Sequence, residues 1–321
     1  MKQIVILDGY TLNPGDLSWE KIESLGKVKI YQRTSREEIE ERISDAEIIV
    51  VNKVKLDAEI LDSALKCRCI CVTATGYNNI DIEKAREKGI VVMNASNYGT
   101  LSVAQHVFAL LLEITNNIFL HNQSVKKGDW GNQPDFCYWN KPLERLEGKI
   151  LGIVGFGAIG QAVAKIALAF GMDVKIFTRN LEKVKKMGFE GMPFEQLILV
   201  SDIITLHLPL TDETKQIMNK EVFQQMKKNA ILINTSRGDL INEEDLFEAL
   251  KNKKPGYAAL DVLSVEPPLT ESPLFELDNC IITPHIAWAS KQARERLMEI
   301  TAENIHRFME GKPLTNLALL K

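Results

Sequence analysis

Cysteine is scarce, aromatic residues make up only 7% of the 321 positions, and 39 Lys and Arg against 43 Asp and Glu leave a formal net charge of −4. Each shortage excludes something. Without a basic surplus there is no broad cationic face for nucleic acid or an anionic membrane. Five cysteines do not make a disulfide framework. Cys67, Cys69 and Cys71 alternate with Arg68, Ile70 and Val72, the period of a strand, and read as small core residues on one face. The competing reading, a metal cluster, lacks a Cys-x-x-Cys pair or a nearby His, so no metal is expected. Long apolar runs are missing as well. "MKQIVILD" is too short for a signal-peptide core, and the run from Val107 to Leu112 stops at Glu113, far short of a membrane span. The expectation is a soluble, cytoplasmic protein with no nucleic-acid or membrane partner.

What is present is an ordinary globular composition, 45% hydrophobic and 26% charged, in a chain long enough for two cores. Short β-rich runs alternate with helical patterns throughout, the signature of parallel α/β sheets. Strands are predicted at 4–7, 47–51, 69–74 and 90–93, and then in "KILGIVG", "DVKIF", "DIITLHL", "AILINT", "YAALDV" and "CIITP". Two long helices bracket the second series. One covers 102–118, and the other starts after Ser290, a good N-cap, and is stopped by Gly311 and Pro313. If the last helix packs back on the first sheet, the second domain is an insertion in the first, and a ligand is expected in the cleft between them.

The second series opens with "LGIVGFGAIG", a strand running into Gly-x-Gly-x-x-Gly and then a helix. In that context Gly155 allows a tight turn, Gly157 lets backbone approach a pyrophosphate, and Gly160 permits close helix-to-strand packing, with Ala158 and Ile159 at the anion-facing helix start. The pattern reads as a Rossmann dinucleotide site, with a purely structural turn at a strand-helix junction as the alternative. The end of the next strand reads Phe177-Thr178-Arg179-Asn180, without the acid that would bind a ribose 2′-hydroxyl. Arg179, Thr178 and Asn180 can instead hold a 2′-phosphate, which favours NADP(H) over NAD(H). Arg179 stacked on adenine, with either cofactor accepted, is the alternative. Three polar residues also fall just past strand ends of this domain: Arg237, Glu266 and His285.

The chain resembles the D-isomer-specific 2-hydroxyacid dehydrogenases over nearly its whole length. The resemblance rests on "GFGAIG", "LHLPLTDET" (206–214), "INTSRGDLINEEDL" (233–246), "ALDVLSVEP" (259–267) and "TPHIAWAS" (283–290), in that order. It implies two doubly wound parallel-sheet domains, a Rossmann cofactor domain at 101–287 inserted into a flavodoxin-like substrate domain at 1–100 and 288–321. It also implies NAD(P)H as cofactor and Arg237, Glu266 and His285 as the catalytic triad. The residue types suit that chemistry. Reducing a 2-keto acid requires a proton at the carbonyl oxygen, and His is poised to give it near neutral pH. Glu266 orients the imidazole and stabilises its cation, and Arg237 offers a fork for the substrate carboxylate.

By the same resemblance the cofactor contacts extend to Thr100, His207, Pro209, Thr214, Thr235 and Asp261. Substrate contacts are expected from the backbone of Gly76 and Tyr77 in "TATGYNNID" (73–81), from Lys53 and Arg237, and from Trp288 as a wall. A solvated Lys53 and a hinge role for Trp288 remain open. His106, His121 and His306 read as packing or surface residues. "LDGYTLNPGDLSW" and "HIAWAS" resemble the glycerate dehydrogenase (hydroxypyruvate reductase) branch, so D-glycerate or glycolate chemistry is expected. A phosphoglycerate dehydrogenase is disfavoured by the absence of a second Arg cluster and of a regulatory segment after Lys321, and a formate dehydrogenase by the lack of Gln beside His285. The segment 102–148, with Trp130, Phe136, Tyr138 and Trp139, resembles the family's dimer arm and implies a homodimer, the alternative being that these aromatics fill their own subunit's cleft. A nucleotide-sensing corepressor of the same fold, with little turnover, is the alternative of a different class.

Overall fold

The structure is a computed structural model that describes residues 2–268, 272–315 and 317–318. The chain forms two compact units, Met1–Gly99 with Ala289–Lys321, and Thr100–Trp288. The expected boundaries each lie one residue away, so Trp288 falls in the second unit rather than the first. The outer limits of the expected substrate domain, Met1 and Lys321, lie outside the described residues.

The first unit is built on β1 (Gln3–Ile6), β2 (Lys27–Ile30), β3 (Ile48–Val51), β4 (Cys69–Val72) and β5 (Val91–Met93). All pair in parallel in the order β2-β1-β3-β4-β5, the flavodoxin-like arrangement. Strands β3 and β4 are buried along their whole length, as expected for the centre of a sheet covered on both faces. β2 was not expected. Its sequence KVKI turns Lys27 and Lys29 to solvent at the sheet edge, where lysine discourages further strand pairing. The three cysteines of the β4 region are buried free thiols, and burial pushes the Cys67 thiol up to about 12. Among the described residues no group of His, Cys, Asp and Glu has an arrangement able to hold a metal ion.

The last helix, Lys291–Met309, starts where Ser290 Oγ accepts the Ala293 N–H at 3.2 Å and ends before Gly311 in the left-handed region. It packs on β4, burying Leu297 and Ile305 completely, each worth about 1.5–3 kcal/mol. Its first turn is fixed by Arg294, which donates to both carboxylate oxygens of Asp16 at 2.7 Å.

The second unit contains β6 (Ile150–Val154), β7 (Asp173–Phe177), β8 (Glu190–Gly191), β9 (Ile203–Leu206), β10 (Ile231–Asn234), β11 (Tyr257–Leu260) and β12 (Cys280–Ile282). They form one parallel sheet in the order β12-β11-β10-β9-β6-β7-β8. Chain order reverses between β6 and β9, the Rossmann switch point beside which such sheets bind nucleotides. The helix Thr100–Asn116 buries Val103, Val107, Leu110, Leu111 and Ile114, and Phe108 stacks on Phe170 at 5.3 Å. The single helix expected over 102–118 is broken: Asn117 takes φ 51°, and a second helix runs Ile118–Lys126. Asn tolerates that left-handed conformation better than most residues. No single helix among the described residues is long and apolar enough to cross a membrane.

Candidate active site

At the end of β6 the chain turns at Gly155 (φ 102°), where a Cβ would lie 2.6 Å from the His207 carbonyl oxygen. A Cβ on Gly160 would lie 2.2 Å from the Gly155 oxygen, so helix Ala158–Ala169 sits against the turn only because both are glycine. Gly157 differs. It caps the helix with nothing within 4 Å of its Cβ position, leaving backbone open to an approaching group. The first N–H groups of the helix have no partner within it, and no acidic side chain occupies its first turn. Past β10, the buried Thr235 hydroxyl has no hydrogen-bond partner among the described residues. An uncrowded helix start that favours anions and an orphaned hydroxyl fit a dinucleotide whose phosphates lie at Gly157–Ile159.

Other expected cofactor residues are partly committed elsewhere. Asn180 caps the helix Leu181–Lys186, accepting the Lys183 N–H at 3.0 Å, and its NH2 group is left to donate to a ligand. The exposed Arg179 and the half-buried Thr178 lie beside it at the end of β7. Thr214 Oγ1 donates to the Pro209 carbonyl at 2.7 Å and accepts from the Thr211 N–H at 2.8 Å, closing the loop after β9 on itself. His207 opens that loop. Burial pushes its pKa down to about 3, which keeps the ring neutral beside Thr205 Oγ1 at 3.0 Å. Thr100 is the first residue of the helix Thr100–Asn116.

Strands β10, β11 and β12 carry the three polar residues at their carboxyl ends. Arg237 follows β10, and Asn234 braces that turn by donating to the Arg237 carbonyl at 2.8 Å and accepting the Ser236 N–H at 3.0 Å. At Gly238 a Cβ would lie 1.9 Å from the Leu263 carbonyl carbon, so the Arg237 turn is pressed onto the loop that leads to Glu266. Glu266 Oε1 accepts the Leu263 N–H at 3.1 Å, and Oε2 meets His285 Nδ1 at 2.6 Å. That leaves His285 Nε2 for a substrate.

His285 sits in left-handed backbone, φ 53°, and Asp261 holds it there. The Asp261 carbonyl accepts the His285 N–H at 2.8 Å, and its carboxylate accepts the N–H groups of Ile286 (2.9 Å) and Ala287 (2.8 Å) and the Thr283 hydroxyl (2.6 Å). Asp261 is 1% exposed, and its side chain is spent on the histidine loop. His106, expected to be a packing or surface residue, joins this network at Thr283 Oγ1, 3.1 Å from its Nε2.

In the first unit, Lys53 follows β3, and Gly76 and Tyr77 follow β4. Sequence reasoning missed what orders these loops. The buried Asp8 carboxylate at the end of β1 accepts the N–H groups of Asn52 (2.7 Å), Lys53 (2.6 Å) and Val54 (3.0 Å). Asn52 in turn donates to the Thr73 carbonyl at 2.6 Å. Asp8, Asn52 and Thr73 thus tie three neighbouring strand ends together. The available signal was that each is a polar residue within two positions of the end of a parallel strand. Tyr77 packs its ring against the core of this unit. Trp288 is half-buried in the second unit.

A Rossmann sheet with a carboxylate-paired histidine at its carboxyl edge is suited to hydride transfer with NAD(P)H. Comparison with known proteins narrows it. Residues 108–287 match the family model of the D-isomer specific 2-hydroxyacid dehydrogenase NAD binding domain. The chain is 46% identical to a hydroxypyruvate reductase of Blautia hydrogenotrophica, over 97% of this chain and 98% of that one. It is 38% identical to a glycerate dehydrogenase of Methylorubrum extorquens, with the same coverage of 97% and 98%. Among solved structures, an acyclic imino acid reductase in complex with NADPH and D-Arg superposes with a TM-score of 0.86 at 32% identity, covering 99% of this chain and 100% of that one. The protein belongs to the D-isomer-specific 2-hydroxyacid dehydrogenases and is a 2-hydroxyacid oxidoreductase that uses NAD(P)H.

Proposed function

We propose that the protein reduces a short 2-keto acid, hydroxypyruvate or glyoxylate, to the corresponding D-2-hydroxy acid, and that it favours NADPH over NADH. The observation that carries this reading is the 2.6 Å bond between His285 Nδ1 and Glu266 Oε2, which leaves Nε2 free beside a dinucleotide fold. The names of the hydroxypyruvate reductase and glycerate dehydrogenase relatives support the substrate class.

The bound nicotinamide supplies the hydride. Arg237 binds the substrate carboxylate and polarises the carbonyl. His285 Nε2 gives its proton to the carbonyl oxygen, and Glu266 stabilises the imidazolium that precedes the transfer and holds its ring plane. In the oxidative direction His285 is the base. Trp288 limits the size of the substrate. On the cofactor, Arg179, Thr178 and the NH2 group of Asn180 bind the 2′-phosphate. Gly155, Gly157, Ala158, Ile159 and Gly160 would hold the phosphates at the helix start, and Thr100, His207, Pro209, Thr214 and Thr235 would line the remainder, whereas Asp261 is buried with both backbone groups already bonded.

The segment 102–148 serves as a dimer arm. Phe136 is 88% exposed and Trp139 66%, two large apolar side chains that a partner subunit would cover. Initial rates with hydroxypyruvate, glyoxylate, pyruvate and phosphohydroxypyruvate, each with NADH and NADPH, test the whole reading. The highest efficiency is expected for hydroxypyruvate or glyoxylate with NADPH. Negligible turnover across the panel with both cofactors would contradict it.

A further inference from the structure

We infer that His106 is a positioning residue for His285, acting through a hydrogen-bond relay of Thr283 and Asp261. The inference rests on the reading of His285 as the proton donor. His106 lies on the helix Thr100–Asn116 at the rim of its apolar face, three residues after the buried Val103 and four before the buried Leu110. Its Nε2 is 3.1 Å from Thr283 Oγ1 and 3.5 Å from Asp261 Oδ1. The Thr283 hydroxyl has one hydrogen, and it is directed to Asp261 Oδ1 at 2.6 Å. Thr283 Oγ1 therefore accepts toward His106, so His106 carries its hydrogen on Nε2.

The chain of donors runs in one direction. His106 Nε2–H donates to Thr283, the Thr283 hydroxyl donates to the Asp261 carboxylate, and that carboxylate gathers the N–H groups of Ile286 and Ala287. The Asp261 carbonyl takes the N–H of His285. All three N–H groups of residues 285–287 thus reach one buried residue, with the His285 N–H shared with the Thr283 carbonyl at 2.9 Å, and the left-handed backbone of His285 persists because this cradle holds it. Hydrogen bonds in series polarise one another, and removing the first donor leaves the Thr283 hydroxyl free to rotate away from Asp261. A small displacement of the loop then misaligns Nε2 against the carbonyl oxygen, to which proton transfer is sensitive. The expected signature is a loss in kcat and not in cofactor binding.

The test uses His106→Leu, His106→Gln, Thr283→Val and the His106→Leu/Thr283→Val double variant, with His285→Ala alongside. Gln can place an N–H close to the position of imidazole Nε2, and Leu cannot. His106→Leu and Thr283→Val are each expected to lower kcat about tenfold with the KM for the nicotinamide cofactor within twofold. The double variant is expected to lose no more than the worse single. His106→Gln is expected to recover most of kcat. Amide exchange in the segment containing Ile286 and Ala287 should rise in His106→Leu and stay near wild type in His106→Gln, a readout available even where turnover is low. Wild-type kcat and exchange in His106→Leu, equal defects in His106→Gln and His106→Leu, or multiplicative losses in the double variant would each overturn the relay. Near-normal turnover in His285→Ala would overturn the reading it rests on, whereas loss in His285→Ala with a normal His106→Leu would overturn the relay alone.

Discussion

Glu266 and His285 are joined at 2.6 Å between Oε2 and Nδ1, and the other carboxylate oxygen of Glu266 is anchored by the Leu263 N–H at 3.1 Å. The carboxylate is therefore fixed by backbone on one side and fixes the imidazole on the other. The arrangement depends on Gly238, because the turn carrying Arg237 touches the chain at Leu263, the residue that anchors Glu266.

Gly238→Ala is expected to be severe. The added methyl would sit 1.9 Å from the Leu263 carbonyl carbon, a backbone atom that has no rotamer to escape into. Forcing the two loops apart should cost about 1–3 kcal/mol or more, lowering Tm by several degrees and reducing kcat together. Differential scanning calorimetry and initial rates check this, and wild-type values for both would show the contact to be unimportant.

The proposed preference for NADPH rests on Arg179. Arg179→Ala is expected to lower kcat/KM for NADPH by about tenfold, roughly 1.4 kcal/mol, and to leave that for NADH near wild type. A wild-type preference for NADH of about tenfold or more would contradict the assignment. With Asn180 already capping a helix, most of the selectivity should lie with Arg179 itself.

Sequence legibility followed burial. Strands β3, β4 and β6 are continuous apolar runs, and β9 and β10 are broken only by the buried Thr205 and Asn234, because both faces are covered, and parallel order then puts Arg237, Glu266 and His285 at one edge. What escaped notice lies at edges and breaks. β2 has only two apolar residues in four, β8 is two residues long, and the helix after Thr100 ends at Asn117 by adopting a conformation that leaves no periodicity mark. The polar cradles of Asp8 and Asp261 were hidden for another reason. Hydrogen bonds to backbone N–H groups depend on where loops return, and spacing along the chain does not encode that.

The pair Asp16–Arg294 gives a pH test of the first unit. The Arg294 guanidinium, hydrogen-bonded to Asp16, holds its carboxyl below the usual value of 3.8. A lowered folded-state pKa contributes stability that is present above 3.8 and lost as pH falls through the lower folded value. Asp16→Asn is therefore expected to lower Tm slightly at neutral pH, the Asp16 carboxylate being exposed although Arg294 is largely buried. The gap to wild type should narrow in acid and in high salt. A gap that stays constant as pH falls below about 4 would show that the ion pair is not its source.

Association should be concentration-dependent and arm-dependent. Sedimentation at micromolar concentration is expected to show a dimer for the wild type and a weaker one for the Phe136→Ser/Trp139→Ser variant, which removes two exposed aromatics. A monomeric wild type would refute the assembly without touching the chemistry.

The measurement closest to the central claim is kcat for hydroxypyruvate or glyoxylate reduction by wild type and His285→Ala, both verified as folded by calorimetry. The expected result is measurable wild-type turnover that falls by about 100-fold or more when the imidazole is removed. A His285→Ala enzyme within a few-fold of wild type would contradict the assignment of His285 as proton donor, and with it the account of Glu266 as the residue that orients it.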